Sequence, residues 1–323
     1  MRLLVTGGGG FIGSNFIKYV LKHKENLIDK IVNVDCLTYA ANEENIKEFC
    51  GHPKYLFKLV DITSFAQISD AFKRGHYSHV IHFAAETHVD NAIKNPRKFL
   101  ETNIIGTYNL LESAKNCKVE KFHHISTDEV YGHLGEKGKF KETTPYDPRN
   151  PYSASKASAD MLVKSYFHTY GLPINISNCS NNYGPKQHRE KLVPTIITSL
   201  LKNKKIPVYN DGLNIRDWIY VEDHCQALWK VLSKGKIGET YNIGSNCEKT
   251  NIDVIKAICT HMGKDHKSSI KFIKDRLGHD FRYAINASKI RSKLLWKPKR
   301  TFTEGIKETV DFYAHNSKSE CKI

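Results

Sequence analysis

A chain of 323 residues with 40% hydrophobic and 26% charged positions can bury a large core, in two domains or in one doubly wound domain with an added lobe. No apolar run approaches the ~18 residues that suggest a membrane span, and residues 2–5 already read as a strand, which excludes a secretion signal ahead of it. The expectation is a cytoplasmic protein without membrane contact. The net charge of +15 and the dense basic run over 264–300 raise nucleic acid as a partner. No RNA-binding sheet or zinc-knuckle pattern accompanies them, so the reading is a solvated basic surface that also favours small anions. The eight cysteines form no C-x-x-C pair and read as reduced thiols.

In chain order, residues 3–6 form a short apolar strand, 7–13 a glycine run and 14–22 a helix. Glycines there let the backbone turn tightly and approach a pyrophosphate, which sits on the free N–H groups of the helix start. The run Gly7-Gly8-Gly9-Gly10-Phe11-Ile12-Gly13 fits G-x-G-x-x-G through Gly8, Gly10 and Gly13, and equally fits a register through Gly7, Gly10 and Gly13. The second strand, 31–34, ends in Asp35, about 20 residues beyond the loop, where a carboxylate binds ribose hydroxyls and repels a 2′-phosphate. With Cys36 next in line and no cation there, NAD is favoured over NADP.

A third strand, 55–60, leads to Asp61 and Ile62 at the adenine edge, and a fourth, 80–85, ends in the small residues Ala84 and Ala85. Thr87 then stands at the mouth of the site. His76, His79, His82 and His88 carry no placed carboxylate partner and alternate faces along the chain, so no metal site is assigned. Residues 96–115 and 156–170 read as long amphipathic helices with more apolar surface than one sheet face covers, which points to a homodimer.

The fifth strand, 121–125, opens into Ser126-Thr127-Asp128-Glu129-Val130-Tyr131-Gly132, and Pro151-Tyr152-Ser153-Ala154-Ser155-Lys156 follows at a helix start. Strand ends of open α/β sheets are where such folds do chemistry. Tyr152 and Lys156 stand four apart on one helix face, and an ammonium beside a phenol lowers a pKa that otherwise sits near ~10. Asp128 and Glu129 suit a general acid and a general base if their environments push their pKa values apart. A sixth strand, 174–178, closes the first domain. The expected division is a dinucleotide-binding domain over 1–178, with a return around 216–244, and a smaller α/β substrate lobe over 179–323. The fold class is α/β, a Rossmann-type doubly wound parallel sheet.

These residues resemble the extended short-chain dehydrogenase/reductase superfamily, and within it the nucleoside-diphosphate-glucose 4,6-dehydratases, nearly end to end. The glycine loop, Asp35 and the Tyr152/Lys156 pair are superfamily marks, and Thr127-Asp128-Glu129 is the dehydratase mark. The resemblance implies that Tyr152 and Lys156 serve oxidation at C4 of glucose, that Glu129 takes the C5 proton, and that Asp128 protonates the departing 6-hydroxyl. It also gives Thr127 a contact to O4. It implies NAD bound by Gly7, Gly10, Phe11, Ile12, Gly13, Asp35, Asp61, Ile62, Ala84, Tyr152 and Lys156. For dTDP-glucose or UDP-glucose it points to Thr87, Asn181, Lys191, Leu192, Tyr209, Arg216, Asn251, Arg276 and His279. Forked arginine donors match pyrophosphate oxygens. Lys186-Gln187-His188-Arg189 departs from the aromatic and proline residues usual in thymidine-nucleotide members, so the base stays open. The competing readings are a nucleotide-sugar epimerase or decarboxylase, against which Asp128 weighs, and a non-enzymatic NAD-sensing or RNA-binding protein.

Overall fold

The computed structural model describes residues 1–275 and 277–320. Its main body is a sheet built from β1 (Arg2–Thr6), β2 (Lys30–Asp35), β3 (Tyr55–Leu59), β4 (His79–His82), β5 (Lys121–Thr127) and β6 (Ile174–Cys179). Three short strands follow, β7 (Asn181–Tyr183), β8 (Ile206–Tyr209) and β9 (Ile215–Tyr220), before β10 (Thr240–Ile243) returns to the edge of that sheet. The seven strands are parallel, in the order β10-β6-β5-β4-β1-β2-β3. Strand order reverses between β1 and β4, and a crevice opens there beyond the carboxyl ends. Two apolar layers sandwich the sheet. One packs the helices Phe11–His23 and Val221–Lys234 through Phe16, Ile17, Val20 and Leu228. The other packs Phe65–Gly75, Gly106–Asn116 and Pro151–Tyr170 through Phe72, Leu110, Leu111 and Val163.

The rest of the chain folds around a separate core. The strand β11 (Glu248–Thr250) joins a sheet of order β11-β9-β7, and β12 (Ile270–Ile273) pairs in parallel with β8. Helices Leu192–Leu201, Asn251–His261 and Phe302–Glu320 enclose it, with Ile196, Ile255 and Ile306 buried among them.

Two elements differ from their sequence patterns. The fourth strand stops at His82 rather than running to residue 85, because beyond Phe83, whose N–H still bonds Thr6 O, Ala84 passes over Gly7 instead of continuing the ladder. The helix expected over 96–115 carries a π-helical stretch, Leu100–Ile105, between Pro96–Phe99 and Gly106–Asn116. That wider turn brings Asn103 inward, where it accepts from Glu86 N–H (2.9 Å) and donates to Glu86 O (3.0 Å) and Ser155 Oγ (2.8 Å). Single π turns often mark functional sites. Here the turn ties the helix to the chain segment leaving β4.

Candidate active site

The glycine loop is a cradle by steric exclusion. A Cβ on Gly13 would lie 2.4 Å from Gly7 O, and one on Gly7, whose φ is +74°, would lie 2.6 Å from Ala84 N. Gly7, Gly10 and Gly13 line the cleft. Gly8 and Gly9 instead turn their N–H groups to Asn33 Oδ1 (3.0 Å) and Asp35 Oδ2 (2.8 Å), so the register through Gly7 is the one that faces a ligand. Gly10 caps Phe11–His23 without a side chain and no acidic residue occupies the first turn, which suits an anion on the free N–H groups. Asp35 also accepts from Leu37 N–H (2.9 Å), and its burial pushes the carboxyl up from the usual range, with these backbone donors pulling it back. Phe11, Ile12, Asp61, Ile62 and Ala84 complete this end, so the residues present fit a dinucleotide.

At the other end, β5 is buried at every position and delivers Thr127, Asp128 and Glu129 into the crevice. The facing helix, Pro151–Tyr170, is pinned by Pro151 in its first turn and a capping box in which Asn150 Oδ1 takes Ser153 N–H (2.9 Å) and Ser153 Oγ takes Asn150 N–H (3.2 Å). That cap fixes Tyr152 and Lys156 in the first two turns. Asn150 Nδ2 also reaches Glu129 Oε2 at 3.5 Å, and Thr127 Oγ1 takes Glu129 N–H at 3.3 Å.

The electrostatics of the acid pair follow from burial. Desolvation, then the Glu129 and Asp217 carboxylates, push Asp128 well above the ordinary carboxylate range, against a smaller pull from Arg216. That direction is the one a general acid needs. Tyr152 departs from the expectation. Desolvation, then Glu129, push its phenol well above the usual value, and a hydrogen bond from Thr127 opposes them. Lys156 Nζ points at Ile125 O (2.8 Å), and burial brings the lysine down to about 8. The sequence pattern places the pair on one face, but desolvation and the Glu129 carboxylate set the direction of the phenol's shift.

Of the residues implied for the substrate, Thr87, Asn181 and Lys191 line the cleft, with Lys191 Nζ donating to Thr87 O (3.0 Å). Leu192, Tyr209, Arg216, Asn251 and His279 stand outside its lining. Leu192 begins a lobe helix, and Asn251 begins another beside Asn214. Tyr209 donates to Asp90 Oδ2 (2.9 Å) and meets the His279 ring edge-on at 5.9 Å. Arg216 is buried, donates to the carbonyls of Ile215, Asp280 and Phe281, and stacks 4.4 Å above Tyr283. Arg276 lies outside the described residues. The atypical segment does reach the cleft, through Gln187 and His188, with His188 edge-on to Tyr39 at 5.7 Å, and Glu190 follows it there. Sequence reasoning missed Glu190, Asp160 and Asp217. Asp160 had a legible signal in Tyr-x-x-x-Lys-x-x-x-Asp, three residues on one helix face. Among the described residues no group of three His, Cys, Asp or Glu side chains is arranged to hold a metal, and no helix is long and apolar enough to cross a membrane.

A doubly wound parallel sheet, a glycine cradle at its switch point and a Tyr-x-x-x-Lys helix beside the next crevice define an extended short-chain dehydrogenase-type enzyme fold. Residues 4–309 match the model of the family described as GDP-mannose 4,6 dehydratase, and the chain belongs to that family. It is 47% identical to the dTDP-glucose 4,6-dehydratase of Haemophilus influenzae over 99% of each chain. Among solved structures it resembles dTDP-glucose 4,6-dehydratase from Bacillus anthracis in complex with NAD, at 47% identity and a TM-score of 0.91 over 98% of both chains. It also resembles DesIV, the dTDP-glucose 4,6-dehydratase of Streptomyces venezuelae solved with NAD and TDP bound, at 40% identity and a TM-score of 0.95, covering 99% of this chain and 98% of that one.

Proposed function

We propose that this protein is an NAD-dependent nucleoside-diphosphate-glucose 4,6-dehydratase, converting dTDP-glucose to the 4-keto-6-deoxy sugar nucleotide and water. The observation that carries the reading is Asp128, a carboxyl buried at the end of β5, pushed well above the ordinary carboxylate range by desolvation and then by Glu129, in the same cleft as Tyr152 and Lys156. An epimerase needs no such acid. The names of the relatives support the thymidine nucleotide.

NAD, when bound, takes a hydride from C4 of the sugar and returns it at C6. Tyr152 removes the proton of the 4-hydroxyl, with the Lys156 ammonium favouring the phenolate, and Thr127 hydrogen-bonds O4. A ketone at C4 acidifies the C5 proton, which Glu129 takes. Asp128 gives its proton to the 6-hydroxyl, which leaves as water, so one proton donor and one acceptor stand where elimination needs them. The cycle is redox-neutral. Thr87 meets the substrate at the mouth of the site, and Asn181, Lys191, Leu192, Tyr209, Arg216, Asn251, Arg276 and His279 serve the nucleotide half.

The test is purified protein with dTDP-glucose or UDP-glucose, followed for the 4-keto product. The expected result is product from dTDP-glucose with no net accumulation of reduced cofactor. A C4 epimer instead of a ketone would sink the reading. The same reading includes a cytoplasmic homodimer. It is supported by free cysteines throughout the described residues, and by the exposed Leu100, Ile105, Tyr108 and Met161 on the helical run 96–116 and on Pro151–Tyr170. Sedimentation at micromolar concentration should give twice the mass of one chain.

A further inference from the structure

Behind the cleft, Asp160 lies one turn past Lys156 on Pro151–Tyr170 and is 0% exposed. Its Oδ2 accepts from Ser126 Oγ (2.8 Å) and Tyr146 Oη (2.9 Å). Its Oδ1 faces His124 Nε2 at 3.3 Å, and Lys156 Nζ stands 3.4 Å from that same nitrogen. The ammonium and the carboxylate thus face one imidazole nitrogen, with Asp160 Oδ1 making no hydrogen bond of its own and Oδ2 held by two hydroxyls. The bland alternative is a core carboxylate satisfied by hydroxyls. Burying an ionised carboxylate costs several kcal/mol, whereas a neutral amide would satisfy the same hydroxyls without that cost. The nearby buried Lys156 gives the charge a purpose.

We propose that Asp160 is a positioning residue for the reaction, a buried counter-charge that acts past His124 to keep the Lys156 ammonium charged and in place beside Tyr152. This rests on the dehydratase reading. Burial pulls Lys156 down to about 8 and Asp160 is the largest influence opposing it. Burial pushes Asp160 up to about 6, while Lys156, Ser126, Tyr146 and Lys164 pull it back. Between those values both partners are charged.

The groups packed around Asp160 come from several elements, and Asp128 at the end of β5, pushed well above the carboxylate range, lines the same cleft as Lys156. From β5 come Ser126 and His124, the latter held neutral by burial, with His82 of β4, also held neutral, 5.2 Å from its ring. From the preceding loop come Tyr146 and Tyr131, whose phenols burial pushes far up. Cys179 of β6 is pushed to about 12, and Lys164 of the same helix lies over the Tyr146 ring at 4.8 Å. Without Asp160 the folded-state pKa of Lys156 falls further, so the ammonium is lost at a lower pH.

The experiment is an NMR titration of the whole protein carrying [ε-¹³C]lysine, with the Lys156 signal identified by its loss in Lys156→Met. In the wild type this signal should titrate well below an ordinary lysine and show a second inflection on the acid side, where Asp160 takes its proton. In Asp160→Asn the midpoint should fall by about 1–3 pH units, the effect of losing an opposite charge at close range. The alkaline limb of the kcat profile for dehydration should move the same way. A kcat that drops equally at every pH, with the Lys156 midpoint unmoved, overturns the proposal and leaves Asp160 as core packing. If Asp160→Asn does not fold, the wild-type titration decides, and a single inflection with no acid-side step overturns it. Failure of the wild type to make the 4-keto product would refute the dehydratase reading while the titration still judges the Asp160–Lys156 coupling.

Discussion

At one end of the cleft Gly7, Gly13 and Asp35 act through shape and main chain, and at the other Asp128, Tyr152 and Lys156 act through desolvation. The glycine end is defined by where a Cβ cannot go, and Asp35 is held there by two backbone N–H groups. The catalytic end is defined by titratable groups whose protonation states are set by burial before any partner is counted. A dinucleotide needs a surface of fixed form, whereas proton transfer needs pKa values moved off their solution positions. Changes at the first end should therefore alter affinity, and changes at the second should alter rate.

The largest effect should come from Tyr152→Phe. Removing the base for C4 oxidation should cut turnover by roughly 10³–10⁴-fold while leaving NAD affinity nearly intact, read by steady-state kinetics and cofactor titration. Equal losses in both would erase the contrast between the two ends.

Asp128→Asn keeps the shape of the side chain but cannot deliver a proton. Dehydration should slow by roughly 10²–10⁴-fold, while oxidation survives and reduced cofactor builds up, visible by its absorbance. A mutant that dehydrates at the wild-type rate would remove Asp128 from the mechanism.

At the other end, Gly13→Ala forces a methyl to within 2.4 Å of Gly7 O, a main-chain atom that cannot step aside. NAD affinity should fall by roughly 10–100-fold, about 1.4–2.8 kcal/mol, with kcat at saturating cofactor little changed. Smaller again is the discrimination against NADP. The buried Asp35 carboxylate disfavours a 2′-phosphate, and affinity should be lower by roughly tenfold or more. Equal use of both cofactors would take that role from Asp35.

The smallest effect is on stability. Because the folded pKa of Asp128 is raised, the protonated acid fits the fold and ionisation does not. Its contribution is whole below the unfolded value of 3.8 and is lost as pH rises from there toward the folded pKa. Asp128→Asn escapes that loss, so its Tm should exceed the wild type by about 2 °C at neutral pH and by less at pH 4. The reverse order would mean that Asp128 is ionised in the folded protein.

Much of the dinucleotide end was legible in the sequence, because a glycine run between a strand and a helix and an acid after the second strand are local patterns with few structural solutions. The register of the loop was not, since the run satisfies two spacings and only Asn33 and Asp35, which take the N–H groups of Gly8 and Gly9, and Ala84, 77 positions on from Gly7, decide between them. The catalytic pair was legible as types and spacing, but its electrostatics were not. The i,i+4 pattern put Lys156 on the helix face of Tyr152, yet the phenol's shift comes from its burial, with Phe99 edge-on to it, and from Glu129 and Cys179, brought from other elements. The lobe was least legible, because Tyr209, Arg216 and His279 lie on short strands and a loop with little periodicity.

By itself the sequence determined the alternation of strands and helices, the chemistry available at the end of β5 and the preference for a cofactor without a 2′-phosphate. These rest on backbone propensity and side-chain type, which are properties of short stretches. The tertiary structure decided which carboxyl burial pushes up, that Lys156 turns to Ile125 O with Asp160 behind it, and that Gln187, His188, Glu190 and Lys191 wall the cleft. Desolvation and pairing depend on atoms from distant parts of the chain, and only folding brings them together.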